Sequence, residues 1–158
     1  MKVRVGFGFD VHELETGKPF FIGGIHIPHS SGAVGHSDAD VLIHAICDAL
    51  LGAASLRDIG YHFPNNDDRY KGIDSKILLK LTKEKLHANH WILGNIDCTL
   101  CLEKPKIQDF IPQMQTILSE ILQCEIDQIS IKATTNEKMG FIGREEGVCA
   151  YAVALIHA

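Results

Sequence analysis

Asp10 and His12, two residues apart, and His44, in the next long apolar segment, are the side chains best suited to chemistry. The stretch Lys2–His12 (KVRVGFGFDVH) alternates apolar and polar residues as a strand does. Residues two apart on a strand point to one face, so the carboxylate and the imidazole are presented together. His44 falls within a helically spaced segment, one turn after Asp40 and one turn before Asp48. Two histidines and one carboxylate supply three ligands and leave a fourth tetrahedral position open, the style of a catalytic zinc site. Asp48 is placed to orient His44 through its second ring nitrogen. A plainer reading makes His44 a hydrogen-bonded core histidine and Asp10–His12 the end of a strand. Spacing does not choose between the two, because segments distant in the chain must first meet.

Two further segments suit phosphate. Val34–Asp40 (VGHSDAD) sets His36 and Ser37 ahead of a helix, where free N–H groups and the dipole favour anions. Asp38 and Asp40 suit the same end as capping groups. Lys132–Lys138 (KATTNEK) places Thr134, Thr135, Asn136 and Glu137 where a strand gives way to a loop. Hydroxyls and a carboxylate there can hold phosphate oxygens and a hard cation such as Mg²⁺, although a solvated turn has the same composition. The glycines of Gly140–Arg144 (GFIGR) let backbone approach a ligand. There is no P-loop, and Gly6-Phe7-Gly8 does not complete a dinucleotide fingerprint. Cys98 and Cys101 have the spacing of zinc knuckles, but three apart on a strand their sulfurs point to opposite faces. His87 and His90 flank a helix end and read as surface residues.

These residues need elements to hold them. Beyond the first strand, Phe20–Ile27 reads as extended, and a helix from about Ala39 to Ala54 takes Ser37 or Asp38 as its cap. Arg57–Gly72 reads as a long polar loop, and Asp74 caps a helix from Ser75 to about His87. Leu93–Leu102 is a strand, and Pro105 opens a helix ending near Leu122. Ile126–Ala133 and Val148–Ile156 are further strands, with a loop from Thr134 to Gly147 between them. Strands alternate with helices without repeats or linkers. The expected fold is an α/β (α+β) sandwich over residues 1–158 as one domain, a mixed sheet with helices on one face.

The 158-residue length suits one domain with a real core, and the hydrophobic fraction of 46% agrees. A net charge of −5 argues against broad nucleic-acid binding. No apolar run approaches a membrane span and no apolar signal segment opens the chain, so the expected location is cytoplasmic. The five cysteines then read as reduced thiols.

Taken together, the chain resembles the 2-C-methyl-D-erythritol 2,4-cyclodiphosphate synthases of the non-mevalonate isoprenoid pathway. The matching stretches include Gly8–His12, Ile22–Gly24, His36–Asp40, His44-Ala45, Asp48–Ala53, Asp58–Gly60 and Phe63-Pro64. Lys104–Lys106, Ile111-Pro112, Lys132–Thr135, Glu137-Lys138, Gly143-Arg144 and Glu146-Gly147 complete them, in family order over nearly the whole chain. The resemblance implies a homotrimer with active sites between subunits. It implies a phosphorus-oxygen lyase in which a 2-phosphate attacks the β-phosphorus of its own cytidine diphosphate and CMP leaves. Zn²⁺ would be held by Asp10, His12 and His44, and Mg²⁺ or Mn²⁺ by Glu137. His36 and Thr135 are the candidate catalytic residues. His36, Ser37, Asp58, Ile59, Gly60, Phe63, Pro64, Asn65, Asn66 and Asp67 would hold the methylerythritol end. Lys104, Pro105, Lys106, Thr134, Thr135 and Asn136, with Phe141 and Arg144, would hold the nucleotide end. Family members commonly carry glycine where Ala39 stands and aspartate where Asn65 stands; the alanine is small enough to be harmless at a helix start. Two other readings use the same residues: a zinc phosphoesterase delivering metal-bound hydroxide, and a trimeric binding module whose zinc is structural.

Overall fold

The N-terminal alternation does form a strand, and in the computed structural model, which describes residues 2–158, it runs further than expected. β1 spans Val3–Thr16 instead of ending at His12. Its last residues, Leu14–Thr16, find a partner in β4 (Ser31–Ala33). The extended stretch between them is a hairpin, β2 (Phe21–Ile22) and β3 (Ile25–His26). Gly23 and Gly24 turn it at φ of 60° and 82°, a left-handed conformation that glycine adopts without steric penalty.

The remaining elements of the sheet and its cover follow. The α1 helix (Val41–Ala53) precedes the short α2 (Ile59–His62), which with a 3-10 turn at Asp68–Tyr70 breaks up the expected Arg57–Gly72 loop. α3 (Ser75–Ala88) is capped by Asp74, as anticipated. β5 (Ile92–Cys101) leads to α4 (Ile111–Leu122), which starts six residues after Pro105 and carries Pro112 in its first turn instead. β6 (Ile129–Thr134) runs parallel to β5, and the short α5 (Gly140–Gly143) precedes β7 (Gly147–His157). β7 lies antiparallel to both β1 and β5, giving a mixed sheet in the order β4-β1-β7-β5-β6.

The sheet has two unlike faces. Ile96, Cys98 and Leu100 of β5, Ile129 and Ile131 of β6, and Val148, Ala150, Ala152, Ala154 and Ile156 of β7 face the helices and join one core with α1, α3 and α4. The long helices α1, α3 and α4 therefore cover one face, as the expected sandwich requires. Cys98 belongs to that core, whereas Cys101 lies on the opposite side with Cys149 and Ile142 of α5, so the two sulfurs do diverge. All five cysteines are free, and burial pushes the Cys47 and Cys98 thiols up to about 12. His87 and His90 are exposed. On the uncovered face β1 presents Val3, Val5, Phe7, Phe9 and Val11, and β7 presents Tyr151 and Val153. Among the described residues no helix is long and apolar enough to cross a membrane.

The closest approach in the core lies between α1 and β1. The residues of β1 that face α1 are Gly6, Gly8, Asp10 and His12, following the period of two. A Cβ on Gly8 would lie 1.9 Å from the Ala45 carbonyl oxygen and 2.7 Å from the Ala49 nitrogen. A Cβ on Gly6 would meet the Ala49 carbonyl oxygen at 1.9 Å. These are backbone atoms, which no rotamer change can move aside. Gly8→Ala is therefore expected to destabilise the protein by roughly 3 kcal/mol, at or above the upper end for overpacking. Urea unfolding measures it, and a loss under about 1 kcal/mol would show that helix and strand part freely.

Candidate active site

Seating α1 on the glycines of β1 brings His44 over Asp10 and His12. Three atoms converge: His12 Nε2 lies 2.9 Å from Asp10 Oδ2, His44 Nδ1 lies 3.0 Å from the same oxygen, and the two nitrogens are 3.2 Å apart. All three present lone pairs when His12 carries its hydrogen on Nδ1 and His44 on Nε2, and three acceptors in mutual contact then call for a cation at their centre. The set is the one group among the described residues whose ligand atoms gather in this way. His12 Nδ1 lies 3.0 Å from the Val34 carbonyl oxygen, which can only accept, so Nδ1 carries the hydrogen and Nε2 presents its lone pair.

Without a metal, protons take its place. Burial favours neutral Asp10, but the hydrogen bonds and charges of His12 and His44 outweigh it and hold its pKa at about 2. Burial likewise disfavours charged His12, and the Asp10 carboxylate overcomes that and raises its pKa.

The N-terminus of α1 is organised differently from the expected cap. Asp40, fully buried, caps the helix by accepting from Ile43 N–H, and also accepts from Gly23 and Gly24 N–H at 2.9 and 2.7 Å. Ser37 and Asp38 lie further out in the preceding turn. Ala39 is not at the helix start either: its φ is 57°, a left-handed conformation that costs a residue with a Cβ about 1–2 kcal/mol. Its methyl is buried, and that burial offsets part of the strain, so the alanine is not simply harmless. Asp48 does not orient His44. Its Oδ1 accepts from the Ile59 N–H at 2.7 Å and so anchors α2.

A cavity of about 360 Å³ opens beside the triad. Asp10, His12, His36, Ser37, His44, Ile59, Gly60, Phe63 and Asn65 line it, so most of the expected set is brought together. Gly35, Tyr70, Ile73 and Leu78 complete the wall and carried no signal in the sequence beyond lying near it. Asp58 instead caps α2 through Tyr61 N–H, and Asp67 caps the 3-10 turn. Pro64 and Asn66 lie in the same loop but do not line the cavity. His36 Nε2 is buried and has no partner among the described residues.

The residues expected at the nucleotide end lie elsewhere. Pro105, Lys106, Thr134 and Thr135 line a second cavity of about 200 Å³, which shares no residue with the first. Lys104 pairs with Glu145 at 2.8 Å, and Arg144 is held by both carboxylate oxygens of Glu146 at 3.0 Å. Glu137 and Phe141 are exposed. The Thr135 hydroxyl donates to Glu137 Oε1 at 3.3 Å, and Asn136 N–H donates to Glu103.

Fold and site together define an α/β sandwich with a two-histidine, one-carboxylate triad that could hold a metal and opens to a cavity. The chain belongs to the YgbB family, whose sequence profile matches residues 3–157. It is 60% identical over 157 residues to 2-C-methyl-D-erythritol 2,4-cyclodiphosphate synthase of Bacteroides fragilis (strain YCH46), covering 99% of each chain. It superposes with a TM-score of 0.90 on a solved 2C-methyl-D-erythritol-2,4-cyclodiphosphate synthase in its CDP-bound form, at 34% identity, covering 98% of this chain and 100% of the other. Against the bifunctional IspDF of Campylobacter jejuni the TM-score is 0.94 at 39% identity, with 98% of this chain matching 42% of that longer one.

The triad predicts opposed pH effects. With its pKa raised, folded His12 holds a proton more tightly than the unfolded chain, so it stabilises the metal-free protein fully below its ordinary 6.5. That stability is lost as pH rises through the folded value. Asp10, lowered, contributes above 3.8 and loses its contribution only as pH falls toward about 2. The melting temperature of metal-free protein is expected to fall as pH rises from 6.5 through the raised folded value of His12. The increment on adding Zn²⁺ should grow over the same range, because metal and proton compete for His12. A pH-independent increment would contradict the assignment.

Proposed function

We propose that this chain converts 4-diphosphocytidyl-2-C-methyl-D-erythritol 2-phosphate to 2-C-methyl-D-erythritol 2,4-cyclodiphosphate and CMP, by attack of the 2-phosphate on the β-phosphorus. The convergence of Asp10, His12 and His44 beside a cavity carries this reading, with the 60% identical synthase behind it. Their spacings of 2.9–3.2 Å fit Zn²⁺: bonds of about 2.0–2.1 Å in a tetrahedron set ligand atoms about 3.3 Å apart. Bound there, zinc would take a phosphate oxygen in its open position and draw off negative charge. Glu137 with Thr135 would hold Mg²⁺ or Mn²⁺, which prefers few carboxylates plus substrate phosphates.

The chain's own residues have the remaining work of positioning. Nucleophile and electrophile belong to one molecule, so holding them in line supplies most of the rate, with effective molarities on the order of 10⁵ M or more. His36 Nε2, buried and unpaired, needs the partner that a substrate oxygen provides. Ser37 and Asn65 offer polar groups in the same cavity, while Phe63 and Ile59 give it apolar walls. Pro105, Lys106, Thr134 and Thr135 suit the cytidine nucleotide. Because the two cavities are separate within one chain, a single active site is best assembled from two chains. The uncovered sheet face supports that assembly: Phe7 is 63% exposed and Phe9, Val5, Val11 and Val153 extend an apolar patch that water does not favour. A homotrimer covers it.

The test is turnover of the diphosphocytidyl substrate followed by phosphorus NMR. Free CMP with a coupled cyclic diphosphate pair is expected, from a species with three times the chain mass by light scattering. His44→Ala should stay folded but lose zinc and turnover. Linear phosphate products would mean a hydroxide-delivering phosphoesterase, and global unfolding of His44→Ala would mean a structural zinc.

A further inference from the structure

His12 has its ring orientation fixed by the Val34 carbonyl; His44 has no carbonyl or carboxylate on its second nitrogen. Instead His44 Nε2 lies 2.9 Å from Ser75 Oγ and 3.1 Å from Ser37 Oγ. Hydroxyls donate as well as accept, so neither by itself sets which ring nitrogen carries the hydrogen. Ser75 is different because of what lies behind it. Its hydroxyl donates to Asp38 Oδ1 in a short hydrogen bond, and its backbone N–H donates to Asp38 Oδ2 at 3.0 Å. Asp38 is itself fixed, since its Oδ1 also accepts from Asp40 N–H at 3.2 Å and its own N–H donates to the Ile73 carbonyl at 3.1 Å.

We propose that Asp38 and Ser75 form a relay that sets the tautomer and aim of the metal ligand His44, making both positioning residues for the metal centre. A carboxylate only accepts, so the single hydroxyl hydrogen of Ser75 is committed to Asp38. Ser75 Oγ can then only accept from the ring, which places the hydrogen of His44 on Nε2. Nδ1 is left with its lone pair aimed at the point between Asp10 Oδ2 and His12 Nε2. The Ser37 hydroxyl, which accepts from Ala39 N–H at 3.2 Å, keeps its own hydrogen free for the cavity. Ser75 is fully buried at the first position of α3, so the helix that lends Leu78 to the cavity wall also reaches His44 through one hydroxyl.

The inference rests on the zinc reading of the triad, and its test separates the two. Zinc affinity is measured by chelator competition on folded protein, alongside the melting temperature of the metal-free form. Ser75→Ala should weaken zinc binding by roughly 10–100-fold, the usual effect of removing a ligand's hydrogen-bond partner. Ser75→Thr, which keeps the hydroxyl, should return the affinity toward the parent value. Asp38→Ala should weaken it at least as much as Ser75→Ala. With no carboxylate to receive it, the Ser75 hydroxyl hydrogen is free to turn toward His44 and favours the wrong tautomer. Affinities of Ser75→Ala and Asp38→Ala within about twofold of the parent would overturn the relay. So would a lower metal-free melting temperature with unchanged zinc affinity, which is what a purely structural role produces. Should Ser75→Ala fail to fold, Asp38→Ala reads the same affinity with Ser75 in place. If the parent itself takes up no zinc at the triad, the underlying reading fails instead.

Discussion

The contact between α1 and the glycines of β1 is the constraint on which the site depends. Gly6 and Gly8 let the backbones of helix and strand meet, with the Ala45 and Ala49 carbonyl oxygens where a side chain would otherwise stand. The period of two that places these glycines under the helix also places Asp10 and His12 on the same face, just past its edge. His44 precedes Ala45 and so leans over them. Any side chain at Gly8 would lift the helix, and with it one of three ligands whose mutual spacing tolerates a few tenths of an ångström. Close packing and metal chemistry are thus one requirement on one strand.

A second layer of polar groups holds the helix in that seat. Asp40 sits fully buried with three backbone N–H partners, two from the β2–β3 turn and one from α1. Burial raises its pKa, those N–H groups oppose the rise, and the nearby Asp38 charge adds to it. Asp48 ties α2, and hence one wall of the cavity, to the same helix. Each acidic residue between positions 38 and 48 is therefore committed to a backbone partner. The −5 net charge is no obstacle to a polyanionic substrate where these carboxylates face inward to N–H groups.

What the residues reveal by themselves is set by how local the interaction is. The shared face of Asp10 and His12, the helical setting of His44, the Asp74 cap and the divergent Cys98 and Cys101 all follow from periodicity within one element, and each is present. The sheet class follows from the alternation of strands and helices. The missed features are contacts across the chain. Asp40 displaces Ser37 and Asp38 as the cap because the Gly23-Gly24 turn delivers two extra donors to it. Pro105 and Pro112 carry the same local signal, and only packing assigns the helix start to the second. The alternation of β1 shows that its Val and Phe residues share a face, and only the helices on the glycine side show that this face is left uncovered. Ser75 carries no signal beyond following a cap, and Asp48, one turn from His44, is the residue expected to orient it; in the fold Ser75 lies against His44 and Asp48 holds α2.

X-ray absorption at the zinc edge of the purified protein tests the metal centre most directly. A first shell of nitrogen and oxygen alone at about 2.0–2.1 Å, with the outer-shell signature of two imidazoles, is the result expected for Asp10, His12 and His44. Sulfur at about 2.3 Å would place the metal on the cysteines and contradict the assignment.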